Sequence, residues 1–552
     1  MLSEAKFKTI KNEINTYSRE EIVWFNGYLA GLLERTQNSA QPVPVRGVKL
    51  RPTIIYGTET GNSKKVATQL LSILKKNNVQ AKAIDASQFS VDKIEKEEFI
   101  ICIVSTQGDG DIPVNAVEFY EKLNKNFHKL ENTKFAVLGL GDTSYPLFCK
   151  AAEDFDLLFE KLGAQRVLPL QKTDTDYSEV AEQWFGQLIF YLQNAVQASV
   201  SNTVEVKQLT HTKNYQGSVT HKVVLNDRGS NKETYHIEIS SEDAILYEPG
   251  DAVGFYPKNK EEELRIIASL FKSEDRYMDL QDKNIKGLSS KSILKFAELL
   301  KTTITEERLD LVDLLKKYGG PDLYLLTLDE VLKLLNPIAP RLYSISSSSE
   351  AHDGELHITV CLDRFISNGK NKKGMCSDYL SEFAVGDELE FYIHKNQNFR
   401  LPDQDKNIIM IGPGTGIAPF RSFLAHRDAT GAEGKNWLFF GEQHFVSDFY
   451  YQTEIQEWLA TGLLNKLDTA FSRDQKHKIY VQDRLKENQA ELFSWLEGGA
   501  YLYICGQKSP MCSDVEKTLL EIISAEKNIG LDEAKVYLED LEIEGRYQKD
   551  VY

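Results

Sequence analysis

Three turns in this sequence carry the residue types that hold phosphate or lie against a flat ring. The first, Gly57-Thr58-Glu59-Thr60-Gly61-Asn62-Ser63, follows the apolar run Thr53-Ile54-Ile55-Tyr56. Hydroxyls and backbone N–H groups at the start of a helix surround an anion. No Lys follows the glycine in the G-K-[ST] manner, which argues against an ATP-type P-loop, and the turn reads as a phosphate cradle for FMN. Ser105-Thr106-Gln107-Gly108-Asp109-Gly110 and Leu140-Gly141-Asp142-Thr143-Ser144-Tyr145 each follow a further apolar run. In a doubly wound sheet all three turns meet at one edge, where Tyr145 offers a face for stacking. A fourth turn, Gly412-Pro413-Gly414-Thr415-Gly416, follows Ile408–Ile411, and its glycines let a pyrophosphate approach the backbone. Beyond it, Ser472-Arg473 and Lys478-Ile479-Tyr480-Val481-Gln482 place positive charge where the 2′-phosphate that separates NADP from NAD needs it. Between these regions lies Arg341-Leu342-Tyr343-Ser344, read as an FAD site. A chain with all three sites takes a hydride at one end and releases single electrons at the other.

Hydrophobic periodicity supplies the elements that position these turns. Residues 1 to about 36 read as a helix with an apolar stripe, and Gln37–Leu50, with Pro42, Pro44 and Gly47, reads as a linker. Over 51–194, strands at Thr53–Tyr56, Ala81–Asp85, Phe99–Ser105, Lys134–Leu140 and Arg166–Leu170 alternate with helices, one of them Phe148–Leu162. That pattern predicts a doubly wound α/β domain. Residues 195–208 are small and polar and read as a hinge. Over 209–403 the period changes to that of antiparallel strands, interrupted by a Leu-, Lys- and Glu-rich helical insertion at about 261–336. The expectation is an antiparallel β-barrel with a helical insertion. From 404 to 552 strands and helices alternate again, as in an α/β nucleotide-binding domain.

The first three turns resemble the flavodoxin family. By that resemblance Thr58, Glu59, Thr60, Gly61, Asn62 and Ser63 hold the FMN phosphate. Ser105, Thr106, Gln107 and Gly108, with Leu140, Gly141, Asp142, Thr143, Ser144 and Tyr145, flank its ring, and Cys149 joins the same set. The second half resembles the ferredoxin–NADP reductase family. There Arg341 pairs with the FAD pyrophosphate, Tyr343 packs on the flavin, Ser344 bonds near its reactive nitrogen, and Leu342 belongs to the same FAD-binding set. Gly374, Met375, Cys376 and Ser377 match a second FAD phosphate loop, and Thr359, Val360 and Cys361 a third contact segment. Phe365 stands where related sequences often have Tyr. Gly412, Gly414, Thr415, Gly416, Ser472, Arg473, Lys478, Tyr480, Gln482 and Asp514 match the NADP site. Cys505, after the apolar strand Tyr501–Ile504, sits by the nicotinamide in that family, with Asp550 as its helper. The terminal Tyr552 covers the FAD ring and moves to admit NADPH.

From about Thr53 to Tyr552 the sequence is similar to the diflavin reductases, and within them most to the flavoprotein (alpha) subunits of NADPH-dependent sulfite reductase. Trp24–Leu32, Gly434–Gly441 and the ending RYQKDVY carry that resemblance. It implies a relay from NADPH through FAD to FMN, a homo-oligomer formed through the N-terminal segment, and a haemoprotein (beta) partner with sirohaem and an iron–sulfur cluster. The six cysteines form no C-x-x-C pair, so no metal site and no cluster of the chain's own is expected. Their scatter, with no basic-then-apolar leader and no apolar run of membrane-spanning length, reads as a cytoplasmic chain without a membrane anchor. A net charge of −17 argues against nucleic acid. Two other readings stand: a soluble diflavin reductase serving another haem acceptor, and a docking subunit with degraded redox sites.

Overall fold

The computed structural model describes residues 50–194 and 213–552, except 60, 78, 109, 126–128, 143, 144, 146, 175, 176, 307, 308, 321, 322, 324, 325 and 368. The N-terminal helical segment, its linker and the 195–208 hinge lie outside the described residues. Nearly all of the described residues belong to one compact unit.

The first layer is a parallel sheet of β1 (Pro52–Gly57), β2 (Lys82–Asp85), β3 (Phe99–Ser105), β4 (Lys134–Leu140), β5 (Gln165–Arg166) and β6 (Gln171–Thr173). Its order is β2-β1-β3-β4-β5, with β6 also paired to β4. Every residue of β3 is buried, as a central parallel strand covered on both faces requires. The fifth strand, expected over Arg166–Leu170, is split. Gln165–Arg166 pairs with the start of β4 and Gln171–Thr173 with its end. Pro169, which has no N–H for the ladder, falls in the gap. Gly57, Ser105 and Leu140 are the last residues of β1, β3 and β4, so the three turns leave the sheet side by side.

The second body is antiparallel. It contains β7 (Asn214–Val224), β8 (Thr234–Ser240), β9 (Ala252–Phe255), β10 (Arg341–Ser344) and β11 (Leu356–Cys361). A separate hairpin, β12 (Arg364–Ser367) with β13 (Lys370–Lys373), precedes β14 (Glu388–His394). The main sheet runs β10-β9-β14-β7-β8-β11, and a bridge between Ile345 and Ile358 closes it into a barrel. Val253, Phe255, Ile237, Ile358 and Phe391 fill the interior. Between β9 and β10 the helices Glu261–Leu270, Ser290–Leu299, Leu311–Tyr318 and Leu328–Leu332 pack around their own core of Leu264, Phe296 and Leu314.

The third body is a parallel sheet of β15 (Ile408–Ile411), β16 (Asn436–Glu442), β17 (Leu464–Phe471), β18 (Tyr501–Gly506) and β19 (Tyr547–Val551), ordered β17-β16-β15-β18-β19. The C-terminal strand is thus an edge strand, with Asp550 opposite Cys505. Helix Ala418–Thr430 is buried along most of its length, because it lies between this sheet and the barrel. The three bodies together are the α/β multidomain architecture expected from the sequence.

Candidate functional site

A cavity of about 250 Å³ opens at the C-terminal edge of the first sheet. Asn62, Ser105, Thr106, Gln107, Gly108, Leu140, Gly141, Asp142, Tyr145 and Cys149, all expected at the FMN site, line it. Thr60, Thr143 and Ser144 lie outside the described residues. Gly61 has φ +88° and precedes helix Asn62–Lys76, whose first turn has no acidic residue and no side-chain cap. Only glycine adopts that angle without strain. The Gly61 N–H donates to Thr58 Oγ1 (3.0 Å), and Ser63 Oγ is buried with no hydrogen-bond partner. An uncapped helix start with an orphaned hydroxyl fits a phosphate. Glu59 accepts from the Val114 N–H (3.4 Å) and is not part of the cavity lining. Cys149, fully buried at φ 53°, backs the third turn, and burial pushes its thiol up to about 12. Sequence reasoning missed Asn115. Its amide oxygen accepts from the Thr58 N–H (2.9 Å) while its nitrogen donates to Asp85 (3.0 Å), which braces the first turn.

The opposite wall of this cavity comes from the barrel: Leu342, His394, Lys395, Asn396, Gln397 and Asn398. His394 Nδ1 bonds to Asp142 Oδ2 at 3.0 Å. Asn398 donates to Asn62 (2.8 Å) and accepts from Lys65 (2.8 Å). Lys508 reaches Glu59 at 3.4 Å. No local spacing announces these contacts.

A second cavity, about 510 Å³, is lined by Gly414, Thr415, Ser472, Arg473, Lys478, Tyr480, Gln482 and Asp514, with Cys361 and Tyr552. Gly412 and Gly416 stand behind it. A Cβ on Gly416 would lie 2.1 Å from the Cys505 carbonyl oxygen, and one on Gly412 would lie 2.5 Å from the Phe420 ring. Arg473 and Lys478 are exposed, and among the described residues neither is paired with a carboxylate. Gln482 Oε1 is buried without a partner. Two unpaired cations and an orphaned amide fit a phosphorylated nucleotide. Lys232, Glu442 and Tyr450 also line this cavity, and Glu442 binds Lys232 and Tyr450.

The FAD residues divide. Among the described residues the Arg341 guanidinium bonds only to the carbonyls of Ala339 and Pro340 (3.1 and 3.0 Å). It stands near Cys376 and Tyr343, whose ionisation its charge affects. Gly374 caps helix Met375–Glu382, and Ser377 Oγ bridges the Asp363 N–H and the Gly374 carbonyl (3.2 and 3.1 Å). This open guanidinium beside a helix start suits a pyrophosphate. Tyr343 packs edge-on against Phe255 with 6.0 Å between ring centroids. The Thr359 hydroxyl is held by Tyr451 (2.6 Å), and Val360 is in the barrel core, so of that segment only Cys361 opens on a cavity. Phe365 is 44% exposed on the β12–β13 hairpin and lines neither cavity.

Between the cavities lies a compact polar cluster. Ser344 Oγ donates to Asp550 Oδ2 at 2.7 Å, and the Cys505 thiol donates to the same oxygen at 3.8 Å. Burial raises Asp550 above the usual carboxylate range, against the pull of Ser344, His394 and Cys505. Burial pushes Cys505 well up as well, so it acts as a neutral S–H. Tyr552 lies close enough to Cys505 and Asp550 for their charges to act on its phenol. Its N–H donates to the Gly506 carbonyl (3.1 Å), its carbonyl accepts from Lys508 (2.9 Å), and its phenol shares a 2.7 Å hydrogen bond with Thr415.

The barrel and the nucleotide-binding half share a buried histidine network. Arg421 donates to the Ser346 carbonyl (2.8 Å) and to His357 Nδ1 (3.1 Å), and pairs with Glu454. Arginine only donates, so His357 Nδ1 accepts and its Nε2 carries the proton. His236 bonds to Tyr451 through Nδ1 and to Glu238 through Nε2, both at 3.1 Å. His236, Glu238 and His357 have the spacing of a metal site. The tautomer that Arg421 imposes nevertheless leaves His357 Nε2 no lone pair, and the guanidinium repels a cation.

Residues 54–184 match the family described as flavodoxin, 279–379 the FAD binding domain, and 410–517 the oxidoreductase NAD-binding domain. The chain is 38% identical to the sulfite reductase [NADPH] flavoprotein alpha-component of Bacillus subtilis (strain 168), over 97% of this chain and 96% of that protein. It is 36% identical to the protein of the same name from Zymomonas mobilis subsp. mobilis, over 99% and 97%. With that of Vibrio vulnificus the identity is 37% over 98% and 95%.

Proposed function

The chain belongs to the family of sulfite reductase [NADPH] flavoprotein alpha-components, and we propose that it feeds electrons from NADPH to a sirohaem- and iron–sulfur-containing haemoprotein subunit that reduces sulfite to sulfide for cysteine synthesis. When bound, the nicotinamide would supply two-electron hydride chemistry and the two flavins the change from two-electron to one-electron transfer. The rest is done by the chain's own residues. Thr58–Ser63 bind the FMN phosphate, and the Ser105–Gly108 and Leu140–Tyr145 turns flank the FMN ring. Arg341 and the Gly374–Ser377 helix start hold the FAD pyrophosphate, and Tyr343 lies against the flavin. Arg473 and Lys478 select the 2′-phosphate. Ser344, Cys505 and Asp550 align the hydride site, hold a proton at Asp550 and exclude water, with Tyr552 as their cover.

One observation supports this reading most directly. Leu342 lines the cavity at the first sheet, and Ser344, two residues on, is tied to Asp550 beneath Tyr552, which lines the other cavity. A single strand therefore serves both ends of the relay. We assign the domains as 51–194, 209–403 and 404–552, with a hinge at 195–208 and residues 1–50 as an oligomerising segment. No helix of the described residues is long and apolar enough to cross a membrane, and the cytoplasm is the compartment we propose.

The test is reconstitution. The flavin-loaded protein, mixed with a sirohaem and iron–sulfur haemoprotein, is expected to produce sulfide from sulfite at the expense of NADPH. Capture of a different haem protein, with no sulfide formed, would transfer the assignment to a general diflavin reductase. A colourless purified protein would overturn the redox reading altogether. Deletion of residues 1–36 is expected to lower the molar mass of the assembly, and an unchanged mass counts against the oligomerising role.

A further inference from the structure

We propose that Thr415 is a positioning residue that latches Tyr552 over the hydride site and releases it in exchange for the nucleotide. The inference rests on the reading of Tyr552 as the cover of Ser344, Cys505 and Asp550. Thr415 belongs to the glycine turn that lines the second cavity, and its Oγ1 lies 2.7 Å from Tyr552 Oη. This is the side-chain hydrogen bond that holds the ring; its other ties, to Gly506 and Lys508, are through the backbone. Tyr552 is 63% exposed, so little burial opposes its swing and one hydrogen bond is a large share of what fixes it.

The same hydroxyl has a second use. A nucleotide seated on the Gly412–Gly416 turn brings phosphate oxygens to the Thr415 side chain; the latch assigns Thr415 as donor and the phenol as acceptor in their 2.7 Å pair, so that the one Thr415 proton serves either Tyr552 or the phosphate. Docking of the pyrophosphate thus removes the partner of the phenol at the moment when the nicotinamide needs the ring's place. The exchange ties uncovering of the Cys505–Asp550 cluster to the arrival of a whole dinucleotide and keeps the cluster covered against water otherwise.

A thermodynamic cycle separates this from a merely structural role. NADP+ binding to the oxidised, flavin-loaded protein is measured by calorimetry for wild type, Tyr552→Phe, Thr415→Val and the double variant, with 2′,5′-ADP as the probe that lacks pyrophosphate and nicotinamide. Loss of one hydrogen bond that NADP+ must otherwise break is expected to tighten NADP+ by about three- to tenfold in Tyr552→Phe. Binding of 2′,5′-ADP is expected to stay unchanged, and the gain to vanish when Thr415 is already Val. A gain that persists beside Thr415→Val, or is absent while Tyr552→Ala still tightens NADP+, would overturn the latch and leave the cover standing. If Tyr552→Ala also leaves NADP+ affinity unchanged, the cover fails and the latch with it.

Discussion

Acidification from about pH 7 to about pH 5 is expected to loosen the junction between the barrel and the nucleotide-binding half, with His236 and His357 as the responsible groups. Burial first, and then the Arg421 guanidinium, push His357 down to about 2 and His236 down to about 4. An imidazole in the unfolded chain titrates near about 6.5. Between those values the unfolded chain binds a proton on each ring and the folded chain does not. The stability conferred by the neutral rings is therefore complete above the unfolded value and is lost as the pH falls through it. At about pH 5 the unfolded form gains a factor of roughly thirty per ring, or about 2 kcal/mol each. For both rings the loss is about 4 kcal/mol, a large part of the 5–15 kcal/mol by which domains are typically stable. The assay is thermal unfolding read by flavin release at both pH values, for the wild type and for the chain carrying His236→Gln and His357→Gln. The variant is expected to be less stable at the higher pH and much flatter across the window. Parallel pH profiles for the two proteins would show that these rings do not control the junction.

Four further outcomes follow from the same geometry. Arg473→Ala and Lys478→Ala are each expected to raise the KM for NADPH by about tenfold, for an exposed charge-assisted contact, and to leave that for NADH unchanged. Steady-state kinetics with both nucleotides check this. Asp550→Asn and Ser344→Ala are each expected to slow flavin reduction by NADPH by about ten- to a hundredfold at unchanged NADP+ affinity, read by stopped-flow absorbance. Gly416→Ala places a methyl 2.1 Å from the Cys505 carbonyl oxygen and is expected to abolish nucleotide binding; a wild-type affinity would refute the packing. His394→Ala with Asn398→Ala removes two ties between the first sheet's turns and the barrel. It is expected to enlarge the radius of gyration measured by X-ray scattering, and an unchanged value would mean that other contacts set the packing.

What was legible in the sequence was local. Each nucleotide turn is a contiguous strand–turn–helix passage, so Gly61 with its positive φ and Gly416 under the Cys505 carbonyl could be singled out by residue type alone. Contacts made only by folding could not. Asp142 and His394 are 252 residues apart, and nothing in either neighbourhood marks the pair. Asn115 was invisible for the same reason, since it stands 57 residues from the Thr58 N–H that it braces. The Thr359–Cys361 segment shows a different limit. Adjacent strand residues face opposite ways, so Val360 enters the barrel, and the outward face that Thr359 shares with Cys361 meets Tyr451 of another domain. Strand periodicity identified β11 but could not tell what its outer face would meet.

A single row of the barrel sheet explains how two cofactor sites can be held in fixed relation. Ser344 of β10 and His394 of β14 are both partners of Ala252 on the strand between them. Strands lie about 4.8 Å apart, so the two backbones stand about 10 Å from each other on one rigid row. Ser344 ties this row to Asp550 and His394 ties it to Asp142. The link is electrostatic as well as geometric, because His394 opposes the rise of the Asp550 pKa. The row therefore registers the FMN turns against the hydride site. The same imidazole that meets the Asp142 turn also bears on the Asp550 carboxylate. The turns of the first sheet and the surroundings of Asp550 thus share one side chain.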